Sequence, residues 1–327
     1  MKIKELFIDL IKKTIYQAEN LFGFFFTFHL RPIKADTVKI APITFSKLPL
    51  CAIVIQGQVL YEKNFTRETL KIYRHNFPSA ILILSTWEDE KSKYIEEIKA
   101  LGIEIVLNKK PTYSGIGNIN FQIISTNGGL EKAQEFGAQY ILKTRTDQRF
   151  HNPSALEYFI NLQKTFPVPT GYAQKQRIIS VNLDTFRNRM HEISDMLIFG
   201  QLDDMLIYWN TPTELPEYAA ALATETAKIK AGQRGPIEQE EFPICERKLS
   251  SNFLKSIGRT LTWTHEDSHK TLANHFCIID AEDIDLYWHK YARLHERRHH
   301  LYNQENFWDK HEVSFAEWLN IHCAYKK

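Results

Sequence analysis

Tyr140-Ile-Leu-Lys-Thr-Arg-Thr-Asp-Gln-Arg149 reads as a strand that ends in charge. Strand side chains alternate between faces, so Lys143, Arg145 and Asp147 share one face and Leu142 and Thr144 the other. Burying three charges at the end of a central strand is costly without pairing or a ligand. Working outward, apolar runs at 50–55, 80–85, 103–107 and 140–146 read as strands, the first closing on Gln56-Gly57. Segments 67–75, 91–101 and 119–136 between them read as helices. Such alternation predicts an α/β fold with a doubly wound, mostly parallel sheet. Ligands of such sheets sit at the carboxyl ends of the strands, where the charged row falls.

The second half is less regular. Strands are expected at 177–181, 196–199 and 276–279, and helices at 203–209, 216–231 and 246–257, with a break at Gly232, Gly235 and Pro236. Before the α/β region, 3–26 reads as an amphipathic helix: Ile3, Leu6, Phe7, Leu10, Ile11, Ile15, Ala18, Leu21 and Phe22 recur at spacings of three and four. Lys2, Lys4, Lys12 and Lys13 lie off that stripe, and Phe24, Phe25, Phe26 and Phe28 follow. Lysines beside an aromatic wedge suit a helix lying on a membrane surface; burial against the protein's own core or a second copy is the competing reading. The expected organisation is an N-terminal amphipathic helix and linker at 1–47, the α/β region at 48–285, and a basic, aromatic helical tail at 286–327.

Composition narrows the function. The 327 residues carry 41 Lys and Arg against 39 Asp and Glu, a balance that argues against nucleic acid as a partner. Hydrophobic residues make up 43% and charged ones 24%, which excludes wholesale disorder. Cys51, Cys245, Cys277 and Cys323 are widely spaced with no CxxC pair, so a structural zinc site is not expected and reduced thiols are. Glu5 and Asp9 interrupt any apolar leader, and no apolar run is long enough to span a bilayer. The expected location is cytoplasmic, peripheral on the inner face of the cytoplasmic membrane.

The strand-end charges fit a pyrophosphate site, with Asp147 holding a divalent cation and Arg145 or Arg149 facing phosphate oxygens. The plainer alternative is an ion pair of Asp147 with an arginine, plus an Asx turn. His265 and His269 have i, i+4 spacing, but no third zinc ligand is evident. His289, Lys290, Arg293, His295, Arg297, Arg298, His299 and His300 form a basic run. It reads either as a solvated face or as a contact for an anionic acceptor or membrane.

The run from Asn118-Ile-Asn-Phe-Gln-Ile-Ile-Ser-Thr-Asn-Gly-Gly to Gly137-Ala-Gln-Tyr-Ile-Leu-Lys-Thr-Arg-Thr-Asp-Gln-Arg, with Ser194-Asp-Met-Leu-Ile-Phe-Gly200 and Asp203-Asp204-Met205, resembles the WavE lipopolysaccharide-synthesis family. The resemblance covers about 48–290. It implies a GT-A-like glycosyltransferase taking a nucleotide-sugar donor and a lipopolysaccharide, capsule or other glycolipid acceptor, commonly with a divalent metal (Mn or Mg). It makes Asp147 the last acid of the metal-binding DxD motif. Arg145 stands where the first acid belongs, which opens the alternative that Lys143, Arg145 and Arg149 replace the cation. It places Gln56 and Gly57 where the nucleotide enters, and Asn120, Gln122 and Ser125 along the nucleotide or beneath the next strand. Asp195 becomes a contact for the acceptor hydroxyl, beside the plainer reading of Asp203 and Asp204 as a helix cap. The general base opens a late helix; helix spacing selects Glu246, although Cys245 and Arg247 replace the family's proline and glutamine, while Glu238 keeps the Glu-Gln pair. Two alternatives stand beside transfer: a nucleotidyltransferase making sugar nucleotides, for which Gln56-Gly57-Gln58 is a poor phosphate loop, and a non-catalytic membrane scaffold. The oligomeric state is not legible.

Overall fold

The computed structural model describes residues 2–23, 25, 29–39, 47–218, 220, 224, 228, 244–290 and 311–325. The chain divides into two compact units, 1–33 and 34–327. The first is the helix α1 (Lys2–Phe22), on which Leu6, Phe7, Leu10, Ile11, Leu21 and Phe22 are exposed. It stops short of the 26 expected from the pattern. Gly23 takes a left-handed φ of 71° and donates its N–H to the Glu19 carbonyl at 2.8 Å, which closes the helix. Most of the phenylalanine wedge lies outside the described residues.

The second unit is built on strands β1 (Cys51–Gln56), β2 (Ile81–Trp87), β3 (Glu104–Asn108), β4 (Tyr140–Arg145), β5 (Gln148–Phe150), β6 (Ile178–Val181), β7 (Ile198–Gln201), β8 (Phe276–Ile279) and β9 (Leu286–Trp288). Seven form one sheet in the order β3-β2-β1-β4-β7-β6-β8, and β5 pairs with β9 in a second. In the large sheet β7 alone runs against its neighbours β4 and β6. The sheet is thus mostly parallel and mixed, consistent with the GT-A-like, doubly wound class.

Helices α2 (Phe65–Asn76), α3 (Ser92–Lys99), α4 (Ile119–Glu135), α5 (Ala155–Thr165), α6 (Leu202–Trp209), α7 (Cys245–Ser256), α8 (His265–His275) and α9 (Phe315–Tyr325) surround the sheet. β1 is buried along its whole length, as a near-continuous apolar run in the middle of a parallel sheet should be. α4 lies close over it because Gly129 has no side chain: a Cβ there would come within 2.3 Å of Val54 Cγ1. The helix expected at 216–231, the break at 232–236 and most of the basic run fall largely or wholly outside the described residues. α9 seats Trp318 in the core, where its indole donates to the carbonyls of Leu272 and Phe276 at 3.0 and 2.9 Å. No described helix is long and apolar enough to cross a membrane.

Candidate active site at the carboxyl end of the sheet

Register brings the charged row to the level of the β1 end. Gln56 pairs with Ser85 on one side and Arg145 on the other. The chain leaves β1 through Gly57 at a φ of 113°, where a Cβ would come within 3.2 Å of Thr146 Oγ1. Because β7 is antiparallel, with Ile198 opposite Lys143, the segment leading into β7 passes beside the carboxyl end of β4. That delivers Asp195, three residues before the strand.

Lys143 is fully buried. Its ammonium donates to the Asp195 carbonyl, reaches Gln122 Oε1 at 3.4 Å, and sits 4.8 Å from the centre of the Trp209 ring. Burial, with the Arg145 charge adding to it, pulls its pKa down to about 8, although Asp195 opposes the shift. Arg145 donates from Nε and Nη2 to the two oxygens of Asp147 at 2.9 and 3.2 Å. Trp288, carried in by β9, donates its indole N–H to Asp147 Oδ2 at 3.0 Å. Burial alone would raise the Asp147 carboxyl; the Arg145 fork and the Trp288 donor outweigh it and hold the pKa below the ordinary value.

Glu246 lies in the first turn of α7. That helix is pinned by Arg247 Nη2 on Glu192 Oε2 at 3.0 Å, by Lys248 Nζ on Glu214 Oε1 at 2.9 Å, and by Cys245 Sγ on the Ile116 carbonyl at 3.1 Å. The two residues that depart from the family pattern, Cys245 and Arg247, therefore act as struts for the acid between them. Burial first, then the charge of Asp195, push the Glu246 carboxyl up to about 8. Asp195 Oδ2, the Tyr208 hydroxyl and Trp209 Nε1 are buried without a hydrogen-bond partner among the described residues.

The structure thus gathers Lys143, Arg145, Asp147, Asp195 and Glu246 into one cluster of interacting charges, with Gln122 hydrogen-bonded to Lys143 at its edge. Arg149 is turned away: Nε donates to Thr69 Oγ1 at 2.9 Å and Nη2 to the Phe65 carbonyl at 3.1 Å, so it ties β5 to α2. Gln56 and Ser125 bond to each other at 2.7 Å. Asn120 donates to the carbonyls of Tyr113 and Glu214 and accepts from the Glu214 N–H, at 2.7–3.0 Å. All three are buried supports. Glu238 lies outside the described residues. Trp209, Tyr208 and Glu192 were not singled out in the sequence; Trp288 was expected on a helix at the start of the basic, aromatic tail and stands instead on strand β9.

The residues present do not suit a divalent ion as they stand. Asp147 has three of its roughly four acceptor positions filled by N–H donors, two of them from the Arg145 cation, and the charge of Lys143 lies near. Among the described residues no three His, Cys, Asp or Glu side chains form a metal-binding group. A cavity of about 600 Å³ lies at the other end of the sheet, lined by Leu50, Cys51, Phe77 and Leu156 together with Lys47 and Glu157. It sits at the amino ends of β1 and β2, away from the carboxyl ends where ligands of such sheets bind, so the strand-end cluster is the better candidate.

A mixed, mostly parallel sheet of this order, with acids and cations gathered at the carboxyl end of β4, defines the class as a GT-A-like, doubly wound fold whose charged cluster lies where such sheets take their ligands. The chain belongs to the WavE lipopolysaccharide synthesis family, whose pattern matches residues 51–325. The match runs past the 290 at which the sequence resemblance was placed and takes in α9. No curated protein matches. A CMP:2-keto-3-deoxy-manno-octonic acid synthetase complexed with CTP is similar at 10% identity and TM-score 0.32, over 57% of this chain and 87% of its own. A cytidylyltransferase from Leptospira borgpetersenii is similar at 12% and 0.33, over 66% and 100%. A glycosyltransferase involved in the glycosylation of the major capsid of PBCV-1 is similar at 14% and 0.26, over 51% and 69%. At these values the likenesses assign neither chemistry to this chain.

Proposed function

We propose that the protein transfers a sugar from a nucleotide-sugar donor to a hydroxyl of a bacterial surface glycan, either lipopolysaccharide or capsule. The observation that carries this reading is the place of Glu246, a half-buried acid in the first turn of α7 whose carboxyl is pushed up to about 8 by burial and by the charge of Asp195, beside the cationic end of β4. The acceptor hydroxyl attacks the anomeric carbon, the bond to the nucleoside diphosphate breaks, and Glu246 takes the hydroxyl proton. A base with a pKa close to the working pH suits that step, and such a group contributes about 10²–10⁴-fold. Asp195 faces the acceptor and keeps Glu246 basic, while Arg145 faces the leaving diphosphate.

Nucleotidyl transfer, joining a nucleoside triphosphate to a sugar phosphate with release of pyrophosphate, is the competing reaction. Its nucleophile is already an anion and needs cations rather than a base. The Glu246–Asp195 pair therefore favours glycosyl transfer. Thermal melting of the full chain with UDP-, GDP-, ADP- and CMP-sugars, against nucleoside triphosphates with sugar phosphates, tests this. Stabilisation by an intact nucleotide sugar supports transfer. Stabilisation by triphosphates alone contradicts it, and a response to neither points to a scaffold.

The exposed apolar stripe of α1, with Lys12 and Lys13 beside it, suits docking on an anionic lipid surface near a glycolipid acceptor.

A further inference from the structure

Arg145 is committed on one edge only. Nε and Nη2 are spent on Asp147, whereas Nη1 has no acceptor among the described residues, and the side chain is 30% exposed. The Trp288 ring lies 5.9 Å from the guanidinium carbon, and the same indole fixes Asp147 from the other side. β9 in turn is tied down by the His289 N–H on the Asp147 carbonyl at 3.0 Å. A guanidinium held in this way presents its free edge in a fixed direction, the arrangement that best matches phosphate oxygens. Lys143 adds a second positive charge from below but is wholly buried. Asp147 is occupied as the anchor of an arginine, so the carboxylate that would bind a metal is already used.

We propose that Arg145, pinned by Asp147 and Trp288, grips the diphosphate of the donor, and that this grip needs no divalent ion. The proposal rests on the nucleotide-sugar reading of the site and adds to it how the phosphates are held. Asp147 and Trp288 are positioning residues here, and Arg145 touches the ligand.

Calorimetric titration of the full chain with UDP, GDP and ADP, first in EDTA and then in Mn²⁺, tests it. For the nucleoside diphosphate that binds, affinity changes less than about threefold between the two conditions, well under 1.4 kcal/mol. Arg145→Ala weakens binding by about ten- to hundred-fold in both, the worth of a charged hydrogen bond. Arg145→Lys restores part of the loss, because it keeps the charge and loses the fork. Asp147→Asn costs less than Arg145→Ala, since it loosens the guanidinium without removing it. If Arg145→Ala melts early, Arg145→Gln, which keeps bulk and removes charge, is titrated in its place. Binding that appears only with Mn²⁺, and is lost in Asp147→Asn but kept in the Arg145 variants, overturns the proposal. No binding of any diphosphate in either condition overturns the nucleotide-sugar reading itself, a result distinct from metal-dependent binding.

Discussion

Arg145 and Arg177 are both arginines at sheet ends, and they are used in opposite ways. Arg177 is 2% exposed and spends its whole guanidinium on the protein. Nε donates to the Phe166 carbonyl, Nη1 to the carbonyls of Ala273 and Phe276, and Nη2 to that of Pro167, at 2.6–3.1 Å. It joins the end of α5 to α8 and β8, and burial draws its pKa down to about 10. Arg145 keeps one edge outward, and the cluster around it leaves Asp195 Oδ2 and the Tyr208 hydroxyl unpartnered among the described residues. Charge alone therefore does not mark a site. A charge held firmly with bonding capacity left over does, because a purely structural group would have been satisfied by the fold.

The comparison can be broken first at the acid. Glu246→Gln should lower transfer by about 10²–10⁴-fold while donor binding persists, measured as turnover beside titration. It should also stabilise the fold at and above neutral pH. The folded carboxyl keeps its proton to about 8, while in the unfolded chain it titrates near the ordinary 4.5. Between those values the unfolded chain binds fewer protons, so wild-type stability falls as pH rises, and the glutamine removes that slope. Melting curves from pH 5 to about 9 would show the two proteins diverging. A melting temperature that drops equally at all pH values would mean that Glu246 is structural.

Arg177→Ala should strand several buried carbonyls and cost roughly 3 kcal/mol or more in denaturant unfolding. The variant that remains folded should bind the donor normally. Weakened donor binding in folded Arg177→Ala would erase the contrast with Arg145. Asp195→Asn sharpens the comparison within the site. Removing its charge lets Glu246 ionise more easily, so the rising limb of the pH–rate profile, centred near 8, should move to lower pH. An unmoved limb would separate the two acids. The smallest effect belongs to the first unit: deleting residues 1–33 should change turnover on a soluble acceptor less than about twofold, yet abolish sedimentation with anionic liposomes at low salt. A truncation that still sediments would assign membrane contact elsewhere.

The first four strands and the helices between them were legible because each is a short apolar run bounded by turn residues or an amphipathic helix of ordinary length. The spacing that selected Glu246 found the first turn of α7. Three things were hidden. β5 and β9 are three residues each and exist only through pairing 136–140 positions apart, Gln148 with Trp288 and Phe150 with Leu286, so no local period announces them or Trp288. Arg149 shares the alternation of Lys143 and Arg145 on paper, but β4 ends at Arg145 and the turn before β5 resets the phase. Asp195 was expected directly before a strand at 196–199; it precedes β7 by three residues and reaches the cluster because β7 runs antiparallel, a direction that composition does not encode.

The central claim is that Glu246 and Asp195 serve glycosyl transfer at the end of β4. The most direct measurement is product analysis by chromatography and mass spectrometry after the full chain meets a nucleotide sugar and a bacterial surface-glycan acceptor. The expected result is free nucleoside diphosphate in equal amount to glycosylated acceptor, with both reduced by about 10²-fold or more for Glu246→Gln. A nucleotide sugar and pyrophosphate formed from a nucleoside triphosphate and a sugar phosphate, at a rate that Glu246→Gln leaves unchanged, would contradict it.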